Sequence, residues 1–235
     1  MKREVIIACD FSSQQETLEF LDRFTEEKPF VKIGMELFYA EGPAIVHEIK
    51  KRGHKIFLDL KLHDIPNTVY KAMMNLAKLD VDMINVNAGG TIEMMKAAKD
   101  ALVKMHSKAI LLAVTQLTST SEERMHEELW IDHGMEETVQ HYAYNAKLAG
   151  CDGVICSPLE VAAVSTRCGK DFVTVTPGIR FASDSKGDQK RVTTPAKAHQ
   201  LGSHYIVVGR SITGSSDPLA AYRKASREFE SGDEA

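Results

Sequence analysis

Short apolar segments rich in β-branched residues alternate with amphipathic segments along the whole chain. Each apolar segment ends at a polar residue or a glycine, which is typical of a strand that is buried on both faces. The apolar segments span residues 4–10, 29–34, 54–61, 81–88, 108–118, 152–158, 171–179 and 204–210. The amphipathic segments between them predict helices, and several of these end at a glycine, the usual stop signal for a helix. These glycines are Gly53, Gly150, Gly169 and Gly202.

Eight strand–helix units predict an α/β protein, a single (β/α)8 TIM barrel built as one domain over residues 1–235. An open, doubly wound sheet is the alternative. Against it, the first strand is not followed by a G-x-G-x-x-G turn, and no linker divides the chain. Two connections are longer than the minimum. Residues 119–134 are expected to hold a short extra helix, and the polar residues 180–193 are expected to form an active-site lid.

Composition narrows the functional classes. Apolar residues make up 43% and charged residues 26% of the chain, as in ordinary globular proteins. The net charge of −4 argues against a general nucleic-acid or membrane-surface binder. The first apolar run is too short for a signal peptide, and no segment approaches 18 apolar residues, so a cytoplasmic protein is expected. The four cysteines lack any zinc or C-x-x-C spacing and are expected to be reduced, structural thiols, with Cys9 and Cys156 buried because they lie in apolar runs.

Charged residues occur inside strands that should be buried. Lys32 lies in the second apolar segment, and Asp59 and Lys61 lie in the third. Charges in such positions are costly unless they are paired. In a (β/α)8 barrel the active site lies at the carboxyl ends of the strands. The polar residues that end strands are Asp10, Lys32, Asp59, Lys61, Asn85, Asn87, Thr115, Thr118, Ser157, Arg180 and Arg210.

Asp59 and Lys61 are two residues apart on one strand, so their side chains should point to the same side, into the mouth of the barrel. Asp64 follows where the strand gives way to a helix. Together with Lys32, these residues should form a compact cluster of alternating charges. A structural salt-bridge network is the plain alternative, but clusters of perturbed charges concentrate in active sites, and we favour a functional interpretation.

The segment FLDLKLHDIPNTV, residues 57–69, resembles the D-x-K-x-x-D-I-P-N-T signature of the orotidine 5′-phosphate decarboxylase family. Further segments match that family in the same order along nearly the whole chain. They are ACDF, VKIG, VTQLTS, TPGIR, GDQKR and VVGRSIT. The resemblance is to the bacterial branch. It implies decarboxylation of orotidine 5′-phosphate (OMP) to uridine 5′-phosphate (UMP), the last step of de novo pyrimidine synthesis, without a metal or other cofactor.

The resemblance also implies roles for individual residues. Lys61 would be the proton donor, Asp59 would lie beside the substrate carboxylate, and Lys32 would complete the charge array and, with Asp10, hold the ribose. Three residues would reach into the active site of the other subunit of a homodimer, namely Asp64, Ile65 and Thr68.

The remaining substrate contacts implied by the resemblance lie after the fifth, seventh and eighth strands. Thr118 would address the pyrimidine. The phosphate would be bound by Arg180, Gln189, Gly209 and Arg210, with Gln189 on a loop that closes over it.

Other candidates have simpler interpretations. His63 occupies a variable position of the signature, and a structural or helix-start role is favoured. The segment NAGGT, residues 87–91, is expected to be a tight strand-to-helix turn rather than a phosphate cradle. The polar cluster between the fifth and sixth strands lacks a metal-ligand spacing and is expected at the surface. It consists of His126, Asp132, His133 and His141.

Three functional hypotheses follow. The first is a metal-free OMP decarboxylase that acts on a small nucleotide and has no nucleic-acid or membrane partner. The second is a metal-dependent sugar-phosphate decarboxylase or aldolase on the same barrel. The IPNT segment and the Gln189 loop are evidence against this alternative. The third is a non-catalytic nucleotide-binding barrel, which would have no reason to hold the Asp59–Lys61 pair.

Overall fold

The computed structural model describes residues 3–184 and 192–234, and it contains a closed barrel of eight parallel strands. The strands follow one another around the barrel in sequence order, and β1 pairs with β8 to close it. The strands are β1 (Glu4–Ala8), β2 (Phe30–Gly34), β3 (Ile56–Leu62), β4 (Met83–Asn87), β5 (Ile110–Val114), β6 (Gly153–Ile155), β7 (Val173–Ile179) and β8 (Tyr205–Val208). The predicted (β/α)8 barrel is confirmed, and the open sheet is excluded.

Helices follow the strands and pack around the outside of the barrel. They are α1 (Gln14–Leu21), α2 (Met35–Glu41), α3 (Pro43–Lys51), α4 (Pro66–Leu76), α5 (Thr91–Lys104), α6 (Glu122–Leu129), α7 (Met135–Leu148), α8 (Val161–Cys168), α9 (Pro195–Gln200), α10 (Arg210–Thr213) and α11 (Pro218–Ser231). The extra helix expected within residues 119–134 is α6. No helix in the described ranges is long and apolar enough to cross a membrane.

Strand side chains alternate between two apolar layers, as period-2 geometry requires. One layer fills the barrel and includes Ile6, Phe57 and Val175. The other packs against the helices and includes Ile7 and Leu58, each the sequence neighbour of an inner residue. Burial on both faces explains why the strands read as nearly continuous apolar runs.

The predicted glycine stops are borne out by backbone geometry. Gly53, Gly150, Gly169 and Gly202 each have a φ between 84° and 92° just after the last residues of a helix. A side chain at such a φ is strained, and glycine avoids this cost because it has no Cβ atom. Each of these helices therefore ends sharply, and the chain turns back towards the next strand.

Candidate active site

The barrel interior changes from apolar to charged near the carboxyl ends of β2, β3 and β4. The inner apolar layer contains Phe30, Phe57 and Met83, one on each of these strands. Side-chain direction repeats every second residue, so the next inward positions are polar. These positions are Lys32, Asp59 and Asn85.

Four charged side chains at this end of the barrel form a continuous chain of ion pairs. The Nζ atom of Lys32 lies 2.9 Å from Oδ1 of Asp10 and 3.3 Å from Oδ2 of Asp59. The Nζ atom of Lys61 lies 2.7 Å from Oδ1 of Asp59. The structure thus brings together two lysines and two aspartates from β2, β3 and the end of β1, in alternating order of charge.

Asp59 is the most enclosed carboxylate of this group, with 10% of its side chain exposed. Burial by itself would raise the pKa of Asp59, but the charges of Lys32 and Lys61 and hydrogen bonds from Lys61 and Asn85 hold it below its usual range. Burial likewise opposes the charged form of Lys32, and the carboxylates of Asp59 and Asp10 outweigh it and raise the pKa of that lysine. Both groups are therefore ionised at neutral pH.

The third strand is irregular where the site is built. Phe57 and Leu58 pair with β4 in register, but the next pair is Leu62 with Val86, so three residues of β3 face one residue of β4. Within this bulge Lys61 has a left-handed backbone with a φ of 52°. A bulge re-aims the side chains that follow it. The expectation that simple alternation directs Lys61 was incomplete, although its side chain does meet that of Asp59.

Gly34 is a site residue that sequence reasoning missed. A Cβ atom at this position would lie 3.0 Å from Nζ of Lys32 and 3.1 Å from Oδ1 of Asp10. The glycine leaves room for the ion pair between these side chains. The signal was present in the VKIG segment, where the glycine follows the charged residue by two positions on the same face.

A cavity of about 200 Å³ opens beside the ion pairs, and its walls combine the charges with apolar side chains from several strands. Thr118 lines it and is 8% exposed, so the residue expected to address a pyrimidine does reach the cavity. The other lining residues are Lys32, Phe57, Asp59, Lys61, Val114, Gln116, Leu117, Ser119, Ile155, Cys156, Pro177 and Val207. Such a mixture suits a flat, partly polar ring with a charged group at one side.

A second, larger depression of about 780 Å³ lies beyond the ends of β7 and β8. Arg180 and Arg210 both line it, so the structure brings these two predicted phosphate ligands to one place. Gly209 is the N-cap residue of the short helix α10, which begins at Arg210. Each arginine is three residues beyond a residue that lines the first cavity, Pro177 on β7 and Val207 on β8. Three residues span at most about 10 Å, so each arginine lies close to the wall of the first cavity.

The long connection after β7 leaves and returns at one point. The amide of Arg180 donates to the carbonyl of Thr193 at 3.0 Å, and the amide of Thr193 donates to the carbonyl of Gly178 at 3.1 Å. Both ends of the expected lid are thereby attached to the end of the strand. Gln189, the predicted phosphate contact on this loop, lies outside the described residues.

Asp64, Ile65 and Thr68 stand apart from the ion pairs of their own chain. All three are exposed, and Ile65 has 66% of its surface accessible. The Oδ1 atom of Asp64 accepts a hydrogen bond from the amide of Ile65 at 2.6 Å. The structure therefore does not join Asp64 to Lys61 within one chain.

The other residues singled out in the sequence lie in packing, turn or surface positions. His63 packs beside Gly90, where an added Cβ atom would lie 3.2 Å from its Cδ2 atom. NAGGT forms a tight turn, in which the side chain of Asn87 accepts from the amide of Gly89. The polar cluster around α6 is exposed, as expected for His126, Asp132, His133 and His141.

Among residues 3–184 and 192–234, no three His, Cys, Asp or Glu side chains are grouped so that they could hold a metal ion. All four cysteines are buried, which confirms the prediction for Cys9 and Cys156 and extends it to Cys151 and Cys168. Burial raises the pKa of Cys9 and of Cys151 to about 12, which keeps both thiols protonated at neutral pH.

Comparison with known proteins gives a consistent result. A sequence model of the family described as Orotidine 5′-phosphate decarboxylase / HUMPS matches residues 3–225. A relative named orotidine 5′-phosphate decarboxylase from Fusobacterium nucleatum is 55% identical over 233 residues, which are 99% of this chain and 98% of that protein. A relative of the same name from Bacillus anthracis is 56% identical over 234 residues, 98% of each chain.

The fold is also shared with a solved structure. The crystal structure of orotidine 5′-phosphate decarboxylase from Lactobacillus acidophilus superposes with a TM-score of 0.88 and 44% sequence identity. The match covers 98% of this chain and all of the other.

Proposed function

This chain belongs to the orotidine 5′-phosphate decarboxylase / HUMPS family and decarboxylates OMP to UMP and CO2 in pyrimidine biosynthesis, and from that premise we propose that Lys61 is its proton donor. The observation that carries the proposal is the pair formed by Lys61 and Asp59 at the wall of the smaller cavity, with their charged atoms 2.7 Å apart.

The chemistry requires a fixed positive charge at the reacting carbon. Loss of CO2 from C6 of the pyrimidine leaves an electron pair in an sp² orbital that no neighbouring carbonyl delocalises. A preorganised ammonium group stabilises the charge that develops there, and it then delivers the proton to C6. Lys61 supplies both the positive charge and the proton, since Asp59 holds its ammonium group in place.

Asp59 has a second role in this proposal. Its carboxylate lies beside the carboxylate of the bound substrate, and their repulsion is relieved as CO2 leaves. Two lysines keep Asp59 ionised, so the repulsion persists at neutral pH. Lys32 and Asp10 bind the ribose hydroxyls, and Thr118 binds the edge of the pyrimidine.

Binding of the phosphate contributes to catalysis although the phosphate is remote from the reacting carbon. Arg180, Gln189, Gly209 and Arg210 bind the phosphate, and the segment 180–193 closes over it. Decarboxylation of this kind needs a large reduction of the barrier, and the largest enzymatic rate enhancements approach roughly 23 kcal/mol. A single lysine cannot supply that, so binding energy from the phosphate is used to close and align the site.

The active sites are proposed to be shared between two subunits of a homodimer. Asp64, Ile65 and Thr68 extend from one barrel towards the Lys61 of the other, which is consistent with their exposure. Ile65 is one of four large apolar side chains that are exposed on the segments that follow β2, β3 and β4. These are Met35, Tyr39, Ile65 and Ile92, which are 45%, 70%, 66% and 37% exposed.

Two further properties belong to the proposal. The reaction needs no metal or other cofactor, in contrast to a metal-dependent sugar-phosphate enzyme on the same barrel. The protein acts in the cytoplasm on a small nucleotide, and it has no nucleic-acid or membrane partner.

The test follows the loss of OMP absorbance in the presence of EDTA. The wild-type protein should turn over in EDTA at its full rate, whereas Lys61→Ala should lose nearly all turnover and still bind UMP, because the lysine acts on charge present mainly in the transition state. Retention of more than about a tenth of the wild-type kcat would exclude Lys61 as the proton donor. Loss of wild-type activity in EDTA, restored by a divalent cation, would contradict the cofactor-free mechanism.

A further inference from the structure

Asn85 lies on β4 opposite the bulge of β3 and is fully buried. Its own strand is regular on the other side, where Asn85 pairs in register with Leu112 of β5. The irregularity therefore belongs to β3 alone. The single residue of β4 that faces the bulge carries a carboxamide, in a strand whose other buried residues are apolar.

The carboxamide of Asn85 binds two parts of the active site at once. Its Oδ1 atom accepts a hydrogen bond from the backbone amide of Lys61 at 2.7 Å. Its Nδ2 atom donates to Oδ1 of Asp59 at 2.6 Å. The same Asp59 oxygen accepts from Nζ of Lys61 at 2.7 Å. Three groups thus form a closed ring: the Lys61 backbone, the Asn85 side chain and the Asp59–Lys61 ion pair.

Chemistry fixes the orientation of this amide. A backbone N–H can only donate, and an ionised carboxylate can only accept. Asn85 must therefore turn its oxygen to Lys61 and its nitrogen to Asp59, and the flipped arrangement would place like groups together. A buried amide with one allowed orientation is a rigid support for both partners.

We propose that Asn85 is a positioning residue for the decarboxylation, which holds the bulged backbone of Lys61 and the carboxylate of Asp59 in the arrangement that aims the Lys61 ammonium group at the reacting carbon. This inference rests on the proposed role of Lys61. The left-handed backbone at Lys61 is unfavourable for a residue with a side chain. The side-chain oxygen of Asn85 accepts from the Lys61 amide and so replaces the ladder hydrogen bond that the bulge removes.

The carboxamide could instead serve only the stability of the barrel, and the two roles predict different measurements. An error of about 1 Å in the position of a reacting group can cost about 100-fold in rate. Asn85→Ala should therefore lower kcat by about 100-fold, while the Kd for UMP, which lacks the departing carboxylate, changes by less than about threefold. A role in stability alone would lower the melting temperature and leave kcat unchanged.

Thr174→Val is the matched control. Thr174 is also fully buried on a barrel strand, and its hydroxyl bonds to the ring of His204 at 2.9 Å and accepts from the His204 amide at 3.3 Å. The substitution removes a similar number of buried hydrogen bonds without contact with the charged cluster. It should lower the melting temperature and keep kcat within about threefold of wild type.

Asn85→Asp provides a second test, and it leaves no empty space in the barrel because aspartate is nearly the same size as asparagine. The change keeps the acceptor for Lys61 but places a carboxylate against Oδ1 of Asp59. Two adjacent carboxylates share a proton, and the protonated form can donate to Asp59 as the amide does. The other charged groups around Asp59 are Lys32 on β2 and Lys61 on β3, with Asp10 behind Lys32.

The kcat of Asn85→Asp should therefore fall as the pH rises through the titration of the shared proton, over a range in which the wild-type kcat is constant. A kcat for Asn85→Ala within threefold of wild type, or an Asn85→Asp profile parallel to that of wild type, would overturn the inference. Either result with an inactive Lys61→Ala variant would leave the proton-donor proposal intact. An active Lys61→Ala variant would instead refute the proton-donor proposal.

Discussion

At the scale of single residues, the carboxylate of Asp59 is the point on which the charges of the site converge. Its two oxygens are paired with Lys32, Lys61 and Asn85. Removal of one member of a buried charge pair typically costs about 3–5 kcal/mol, because the other charge is left without compensation. The pair of Lys32 and Asp59 is the most enclosed of the set, with 11% and 10% of the side chains exposed, so loss of either member should lower the stability of the barrel.

Arg210 allows a test of the phosphate subsite. Arg210→Ala should lower kcat/KM for OMP by an amount equivalent to about 2–4 kcal/mol, because a charge-assisted contact to the phosphate is lost from a closed site. The same variant should be little impaired on orotidine, which has no phosphate. Arg223→Ala is the control, since Arg223 pairs with Glu27 on the outside of α11. Equal impairment on both substrates would mean that Arg210 is structural.

The sequence identified the right class of residue at the strand ends but could not separate the roles within that class. Ser157 and Lys61 both follow apolar runs. Ser157 caps a helical turn: its hydroxyl accepts from the amide of Leu159, and its own amide donates to the carboxylate of Glu160. Only three-dimensional contacts distinguish this local cap from a side chain that meets Asp59 across the barrel mouth.

At the scale of elements, periodicity predicted every strand because each is buried on both faces and bounded by polar residues or glycine. It could not predict the bulge in β3, because the residues of the bulge keep an alternating pattern. The bulge is bonded to the neighbouring strand, where Oδ1 of Asn85 accepts from the amide of Lys61. Interactions between strands far apart in sequence leave no local signal.

The opposite ends of the strands show a repeated stabilising device. Asp82 precedes β4 and accepts from the amide of Ile56 at 2.8 Å, and Asp152 precedes β6 and accepts from the amide of Leu111 at 2.8 Å. Each carboxylate thus accepts from an amide at the start of the preceding strand, from the first residue of β3 and the second residue of β5. This end of the barrel is remote from the ion pairs and serves stability.

Asp152→Ala should accordingly lower the free energy of unfolding by about 1–2 kcal/mol, since it removes a strand amide's acceptor and the partner of Lys99. The kcat of the folded protein should be unchanged. Urea denaturation and turnover of the same samples measure the two effects. Glu128→Ala, which removes an exposed carboxylate paired with Arg124, is the control and should alter neither quantity. A loss of kcat in Asp152→Ala would show that the two ends of the barrel are coupled.

At the scale of the whole molecule, the proposal is that two chains complete each site. The chain of ion pairs ends at Lys61, which is paired with Asp59 of its own chain. Asp64, on the segment that follows, is exposed. In the proposed dimer Asp64 of each chain reaches the Lys61 of the other, and an isologous interface would make this contact reciprocal. A (β/α)8 fold could be recognised from one sequence, but the partner's contribution came only from the family resemblance.

Subunit mixing tests most directly whether each reacting lysine lies between a carboxylate of its own chain and one of its partner. Asp59→Ala and Asp64→Ala should each be inactive alone. After exchange of subunits, promoted by dilution or mild denaturant, each mixed dimer has one site with both lesions and one site with neither. Random reassortment makes about half of the dimers mixed, so activity should recover to roughly a quarter of the wild-type value. If exchange is demonstrated and no activity returns, Asp64 acts within its own chain and the shared site is contradicted.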